Sequence, residues 1–329
     1  MKAIETKNLT KKFGSLTAVN KVNLEVDQGE IFGLLGPNGA GKSTFISMLC
    51  TILKPSSGTA LVEGYDILKE ASKVRRSIGI VFQDPSIDDR LTGMENMEMH
   101  ADLYDVPRDV MHSRIEEVLQ LVELEDRSSN YVNTYSGGMR RRLEIARSLI
   151  HYPKVLFLDE PTIGLDPQSR EYIWNYIKDL KEQENITIIL TTHYMEEADK
   201  LCDRIAIIDQ SKIIALDTPK TLKDELGGET IIIESSDNDL LSNKIEDAKL
   251  ADNILKTENE LNLCVKNAHT TLARIVELAV SVGVYINNIS IREPDLNDVF
   301  MHFTGKKIRD GGGSKELRGM GAILRRRIK

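Results

Sequence analysis

Nine consecutive residues, Gly36-Pro37-Asn38-Gly39-Ala40-Gly41-Lys42-Ser43-Thr44, restrict the possible folds of this chain more than any other feature. They fit G-x-x-x-x-G-K-[ST] in full and stand between an apolar run, Ile31–Leu35, and a helical pattern over about Lys42–Leu53 that stops near Lys54-Pro55. Strand, glycine-rich loop and helix are the setting in which such a motif holds phosphate. Glycines let the backbone curl so that N–H groups point inward at phosphate oxygens, and the following helix adds its positive end. Lys42 is placed to reach the β- and γ-phosphates, and the Ser43 hydroxyl to bind Mg²⁺.

The surrounding pattern is α/β. Antiparallel strands are expected at Ala3–Leu9, Leu16–Val19 and Val22–Val26, then strands at Gly58–Glu63 and Ile78–Phe82. Helical spacing runs from about Met94 to Leu149, opened by a capping box at Thr92-x-x-Glu95. From Lys154 strands and helices alternate: Val155–Leu158, Ser169–Glu184, Thr187–Thr191, Tyr194–Leu201 and Ile205–Asp209, which argues for a mainly parallel sheet covered on both faces. Beyond Pro219, a helix and turn over Thr221–Gly228 lead into a second alternation: strand Thr230–Glu234, helix Asp239–Leu255, strand Leu261–Val265, helix Thr270–Val282, strand Val284–Arg292 and a short helix from Pro294. The expected architecture is a P-loop NTPase sheet with an antiparallel β subdomain and an inserted helical subdomain, plus a small C-terminal α/β domain. Its boundaries are 1–220 for the nucleotide domain, with the helical insertion at about 86–150, then 221–305, then a basic, flexible tail over 306–329.

Composition agrees with a folded protein. Of 329 residues, 41% are hydrophobic and 29% charged, enough for one large core and an appendage at roughly 100–200 residues per domain. The net charge of −8 is uneven, because Lys306, Lys307, Arg309, Lys315, Arg318, Arg325, Arg326, Arg327 and Lys329 crowd the end. An acidic body argues against nucleic acid as a partner, while a basic tail suits either solvent or anionic lipid. Cys50, Cys202 and Cys264 lie far apart and form neither a zinc-site spacing nor a disulfide framework. No window approaches the roughly 20 apolar residues that cross a bilayer, and the start lacks a signal-peptide run. A cytoplasmic protein is expected, and any membrane passage would belong to another chain.

Four further features carry chemistry. The apolar strand Val155–Leu158 ends in Asp159-Glu160, which puts Asp159 near the metal and Glu160 where a carboxylate can polarise an attacking water. Thr187–Thr191 runs on to His193 at the same sheet edge, where an imidazole can reach a γ-phosphate and that carboxylate. Gln83 ends another apolar strand and reads either as a surface polar residue or as a sensor of metal and phosphate. Tyr135-Ser136-Gly137-Gly138-Met139 followed by Arg140-Arg141-Arg142 is a second helix start with exposed amides, either an anion site or simply a capped helix with a basic first face.

Taken in order, Gly36–Thr44, Gln83, Tyr135–Met139, Val155–Glu160, Gly164-Leu165-Asp166 and His193 resemble the nucleotide-binding domain of ABC transporters. The resemblance implies two such domains sandwiching two ATPs, the phosphate loop of one facing the signature Ser136-Gly137-Gly138 of the other. It further implies that Gly36, Pro37, Asn38, Gly39, Ala40, Gly41, Lys42, Ser43 and Thr44 form the Walker A loop. In the same way Asp159 is the Walker B carboxylate, Glu160 the catalytic base, His193 the switch histidine and Asp166 part of the loop between subunits. Gln83 would join Ser43 and Asp159 at the metal and link the site to the helical subdomain. Phe13 stands where an aromatic ring stacks on adenine, usually a tyrosine. Tyr135 and Met139 depart from the usual LSGGQ without touching the phosphate-facing groups. YSGGMRRRLEIA, Thr191–Ala198, Leu201-Cys202-Asp203-Arg204 and the ending Asp295–Phe300 through Gly305 are similar to the daunorubicin-resistance ATP-binding subunits. That similarity implies a homodimeric ATPase, using ATP and Mg²⁺, peripheral on the cytoplasmic face of the membrane and coupled to an ABC-2-type export permease. An importer ATPase would carry C-terminal β-barrels, a ribosome-acting ABC ATPase would fuse two such domains, a GTPase would need NKxD, and a purely binding module would lack Glu160 or His193.

Overall fold

The computed structural model describes residues 1–226, 228–257, 260–292 and 294–304. It opens with two long antiparallel strands, β1 (Lys2–Phe13) and β2 (Leu16–Asp27), then β3 (Ile31–Leu35), the phosphate loop and helix α1 (Lys42–Leu49). Next come β4 (Ser57–Val62), β5 (Tyr65–Asp66), α2 (Ala71–Ser77) and β6 (Ile78–Val81), followed by the helices α3 (Gly93–Leu103), α4 (Arg108–Leu121) and α5 (Gly137–Leu149). Alternation then sets in with β7 (Val155–Asp159), α6 (Pro167–Glu184), β8 (Thr187–Thr192), α7 (Met195–Leu201), β9 (Arg204–Asp209), β10 (Lys212–Asp217) and α8 (Pro219–Asp224). The C-terminal part holds β11 (Glu229–Ser235), α9 (Asn238–Asp247), β12 (Asn253–Lys256), β13 (Leu261–Val265), α10 (Ala268–Ser281), β14 (Ile286–Arg292) and α11 (Leu296–Thr304).

The central sheet runs β10-β9-β3-β8-β7-β6, with the last five strands parallel and β10 an antiparallel edge. Every residue of β3, β7 and β8 is buried, as a parallel sheet covered on both faces requires. Alternation within these strands splits the core in two. Phe32, Leu34, Val155 and Phe157 face α1 and the antiparallel sheet β2-β1-β4-β5, while Ile31, Leu35, Leu156 and Leu158 face the helical side. Because these strands are parallel, the ends of β3, β6, β7 and β8 share one edge of the sheet, where the chemistry collects.

Three local expectations change. Residues 16–26 form one strand, not two: Lys21 turns through φ 49° and donates its N–H to Thr10 Oγ1 at 3.0 Å, so the suspected break is a bulge. The first helix ends at Leu49 instead of Leu53. The helix expected over Asp239–Leu255 stops at Asp247, where Lys249 takes a left-handed conformation, φ 51°, and the chain emerges as strand β12. The helical insertion does open on the capping box: Thr92 Oγ1 accepts the Glu95 N–H at 3.1 Å, and Glu95 Oε2 accepts the Thr92 N–H at 2.7 Å.

Residues 229–292 make an antiparallel sheet ordered β12-β13-β11-β14 from a βαββαβ chain, the ferredoxin-like arrangement, around Ile231, Ile233, Leu261, Leu263 and Ile275. The chain then returns. Leu296, Val299 and Phe300 on one side of α11 enter the core of the large domain beside Leu222, Ala198 and Leu201. Thus the last described helix, included in the accessory region in the reading of residues 221–305, buries its apolar side against the first domain. The basic tail over 306–329 lies outside the described residues.

Candidate active site

At the carboxyl end of β3 the loop Gly36–Thr44 is packed against backbone on two sides. A Cβ on Gly36 would fall 2.3 Å from the Ile208 carbonyl oxygen. One on Gly41, held at φ +109°, would fall 2.1 Å from the Ala18 carbonyl oxygen. Lys42 opens α1 and is 5% exposed; its ammonium donates to the carbonyls of Gly36 at 2.8 Å and Pro37 at 3.3 Å, and lies 3.5 Å from Glu160 Oε1. Burial lowers its pKa, partly countered by Glu160 and Asp159. A glycine cradle with no room for a side chain at Gly36 or Gly41, a buried ammonium and a helix start are the fittings of a triphosphate site.

Strand β7 delivers Asp159 and Glu160 to the same edge. Ser43 Oγ donates to Asp159 Oδ1 at 3.2 Å, and the Thr191 hydroxyl at the end of β8 donates to the same oxygen. The Ser43 hydroxyl at the start of α1 beside the Asp159 carboxylate at the end of β7 fits an Mg²⁺ site of the phosphate-loop kind. Glu160 adopts φ 48°, a left-handed conformation uncommon for a side-chain-bearing residue, and its N–H is held by both the carbonyl (3.1 Å) and the hydroxyl (3.0 Å) of Thr191. Its carboxylate meets His193 Nδ1 at 3.2 Å. Burial pushes the Glu160 carboxyl up, but the His193 hydrogen bond and the Lys42 charge outweigh burial and leave it below the usual range. Glu160 is therefore ionised at neutral pH and placed as an acceptor.

Lys42, Ser43, Asp159, Glu160 and His193 thus form one cluster. Gln83 lies just past β6 on the same edge but is exposed, and among the described residues its side chain makes no hydrogen bond. Phe13 is half-buried at the tip of the β1–β2 hairpin, whose Ala18 carbonyl abuts Gly41, and carries the Lys11 ammonium 5.1 Å from its ring centre. Ser136, Gly137 and Gly138 sit apart from the phosphate loop: Ser136 caps α5 by accepting the Met139 N–H at 3.2 Å, and Ser136 and Gly137 face outward. A cleft of about 170 Å³ runs beside them, lined among others by Gly138, Met139 and Ser169. Ser169 is held by Asp166, which caps α6 by accepting the Ser169 N–H at 2.9 Å.

Two contributors escape a motif search. Thr191 joins Asp159 to the Glu160 backbone, and Arg141, read from sequence as part of a basic helix face, is 7% exposed and turned inward. The usable signal is Arg141 and Glu144 at i, i+3 spacing among the apolar Leu143, Ile145 and Ala146, a charge pair within a core stripe.

Fold and site together define a phosphate-loop nucleotide hydrolase with a helical insertion and a ferredoxin-like appendage. The ABC transporter family profile matches residues 19–163, and the profile of the ATP-binding protein DrrA1-3-like C-terminal domain matches residues 218–304. The linearmycin resistance ATP-binding protein LnrL of Bacillus subtilis (strain 168) is 40% identical over 311 residues, covering 93% of this chain and 100% of that protein. The daunorubicin/doxorubicin resistance ATP-binding protein DrrA of Streptomyces peucetius is 38% identical over 313 residues, covering 94% of each. Among solved structures, cbiO1 of Clostridium perfringens, part of the ABC transporter complex cbiONQ, gives a TM-score of 0.64 at 31% identity, covering 68% of this chain and 91% of that one. The ATP-binding cassette MJ0796, solved as a dimer with ADP and Pi, gives 0.59 at 30% identity, covering 65% of this chain and 98% of that one. The chain belongs to the ABC transporter ATP-binding proteins, in the daunorubicin-resistance (DrrA-like) branch, and is an ATP-binding, ATP-hydrolysing transporter subunit. No helix among the described residues is long and apolar enough to cross a membrane.

Proposed function

We propose that this subunit energises an ABC-2-type exporter of drug-like or antibiotic compounds, working as a homodimer on the cytoplasmic face of the membrane beneath a separate permease. Full-length similarity to linearmycin and daunorubicin resistance proteins supports the export assignment. The catalytic assignment rests on one observation, the buried Lys42–Glu160–His193 cluster at the end of the parallel sheet. Lys42 and the amides of Gly36–Thr44 hold the β- and γ-phosphates, with Phe13 beside the base. Glu160 accepts a proton from, or orients, the attacking water, and His193 steadies that carboxylate and meets the γ-phosphate. Mg²⁺, when bound, neutralises phosphate charge; Ser43, Asp159 and Gln83 are the residues that would hold it.

Ser136 and Gly137, exposed at the start of α5 with Gly138 beside them, present their amides to the nucleotide of a second copy. ATP binds the closed dimer through both surfaces and the open dimer through one, so binding favours closure and hydrolysis reverses it. Glu160→Gln tests the core of this reading. It should bind ATP and dimerise on it while kcat falls by on the order of 10²–10⁴; turnover equal to the parent protein would overturn the role of Glu160.

A further inference from the structure

Arg141 lies on the helix that starts with the signature, yet every one of its contacts is to another element or to its own helix interior. Nε donates to the Pro161 carbonyl at 2.8 Å, and Nη2 to the carbonyls of Asp159 at 3.1 Å and Glu160 at 3.2 Å. Nη1 donates to the Phe82 carbonyl at 2.6 Å and to Glu144 Oε2 at 2.9 Å. A guanidinium has five N–H donors, and each finds an acceptor here. The Glu144 carboxylate is itself tied across: Oε1 accepts the Ser86 N–H at 2.7 Å, and Arg147, one turn on, donates to the Ser86 carbonyl at 2.7 Å.

The acceptors belong to two segments that matter. Asp159, Glu160 and Pro161 are consecutive, so the left-handed Glu160 is gripped at its carbonyl by Arg141 and at its N–H by Thr191. An unfavourable backbone conformation persists only when its surroundings over-determine it in this way. Phe82 immediately precedes Gln83, and Ser86 lies three residues further on, so the same helix holds the strand end that leads into the helical insertion.

We propose that Arg141 is a positioning residue that joins the signature helix to Glu160 and to the Gln83 segment, so that engagement of Ser136 by nucleotide sets the position of the carboxylate that works on the other nucleotide. This rests on the reading of Glu160 as the residue acting on water. A rigid planar fork transmits a displacement of α5 to both segments at once, which a flexible ammonium with three donors cannot do. Misplacing a reacting group by about an ångström is enough to cost on the order of 100-fold in rate.

The test uses the full chain, with kcat, KM for ATP, affinity for a fluorescent ATP analogue and melting midpoint measured side by side. Arg141→Ala should lower kcat on the order of 100-fold while KM and nucleotide affinity stay within about twofold, because the Lys42 cradle is untouched. Arg141→Lys should be nearly as slow, and added ethylguanidinium, but not ethylammonium, should restore part of the kcat of Arg141→Ala. Parental kcat in Arg141→Ala, full rescue in Arg141→Lys, or parallel loss of kcat and affinity would overturn the proposal. Should Arg141→Ala not fold, Glu144→Gln decides: several-fold lower kcat at unchanged KM supports the linkage, and unchanged kcat overturns it. Glu160→Gln run alongside separates the two readings, since an active Glu160→Gln removes the role of Glu160, whereas an inactive Glu160→Gln with fully active Arg141 variants removes only the linkage.

Discussion

The chain builds two glycine-rich helix starts from similar residues and finishes them in opposite ways. The loop before α1 is closed from within: backbone from Ala18 and Ile208 fills the space at Gly41 and Gly36, and Lys42 is buried against carbonyls and Glu160. The start of α5 is left open: Ser136 and Gly137 are exposed, and a Cβ on Gly137 would touch only Leu165 Cδ2 at an ordinary 3.6 Å. An anion site at a helix N-terminus works best when water is excluded, because the amides and the charge act more strongly at low dielectric. The phosphate loop has that shielding in one molecule; the start of α5 would acquire it, in the proposed dimer, from the second copy.

The largest effect should come from adding a methyl group to the closed loop. Gly41→Ala would have to displace the Ala18 carbonyl and hold alanine at φ +109°, a strain of about 3 kcal/mol that corresponds to roughly 100-fold in affinity. Titration with a fluorescent ATP analogue should therefore show nearly abolished binding by single subunits. Binding within a few-fold of the parent would mean that the loop is not braced as described.

The same change at the open site should behave differently. Gly137→Ala meets no obstacle in its own subunit and should leave the melting midpoint and the nucleotide affinity of single subunits unchanged, while hydrolysis falls roughly tenfold because, in the proposed dimer, the methyl would intrude between this helix start and the phosphate of the second copy's nucleotide. Mixing then sharpens the contrast. Lys42→Ala and Gly137→Ala subunits, each poorly active alone, should regain activity together, since one of the two sites in the mixed dimer has an intact loop from one copy and an intact helix start from the other. If the mixture shows only the sum of the separate activities, the two helix starts do not share a site.

The two regions were also unequally legible. Gly36–Thr44, Asp159 and Glu160 declare themselves because motif and strand context agree, and the burial of β3 and β7 follows from their apolar runs. Strand β10 leaves no such trace: its hairpin turns on Gln210 and Ser211 at φ 45° and 68°, whereas the residues that signal such a turn are Asn, Asp and Gly. The apolar spacing of Leu296, Val299 and Phe300 marks α11 as one-sided, but periodicity says only that a face is buried, not which core receives it. Arg141 is hidden for the same reason, since three arginines in a row read as a solvated face until the helix is placed against Phe82 and Glu160.

The smallest expected effect lies where the helical insertion that carries the open site is moored to the sheet that carries the closed one. His100, in the last turn of α3, lies 4.8 Å from Tyr104, which stacks at 3.8 Å on His151, and His151 Nε2 is bonded to the Ile78 carbonyl at 2.8 Å. Burial, with Arg147 and His151 adding to it, pushes the His100 pKa down to about 3. In the unfolded chain an imidazole takes up its proton near pH 6.5. Between these values the unfolded state binds one more proton than the native state, so stability falls as pH is lowered from neutrality through this window. From about pH 7 to about pH 5.5 the loss attributable to His100 is about 1 kcal/mol. Urea unfolding at the two pH values should show that loss, and His100→Phe, which keeps an aromatic ring but cannot titrate, should reduce the difference by about that amount. Equal pH dependence in the two proteins would show that His100 takes up its proton in the native state, and that this mooring does not weaken in acid before the closed loop does.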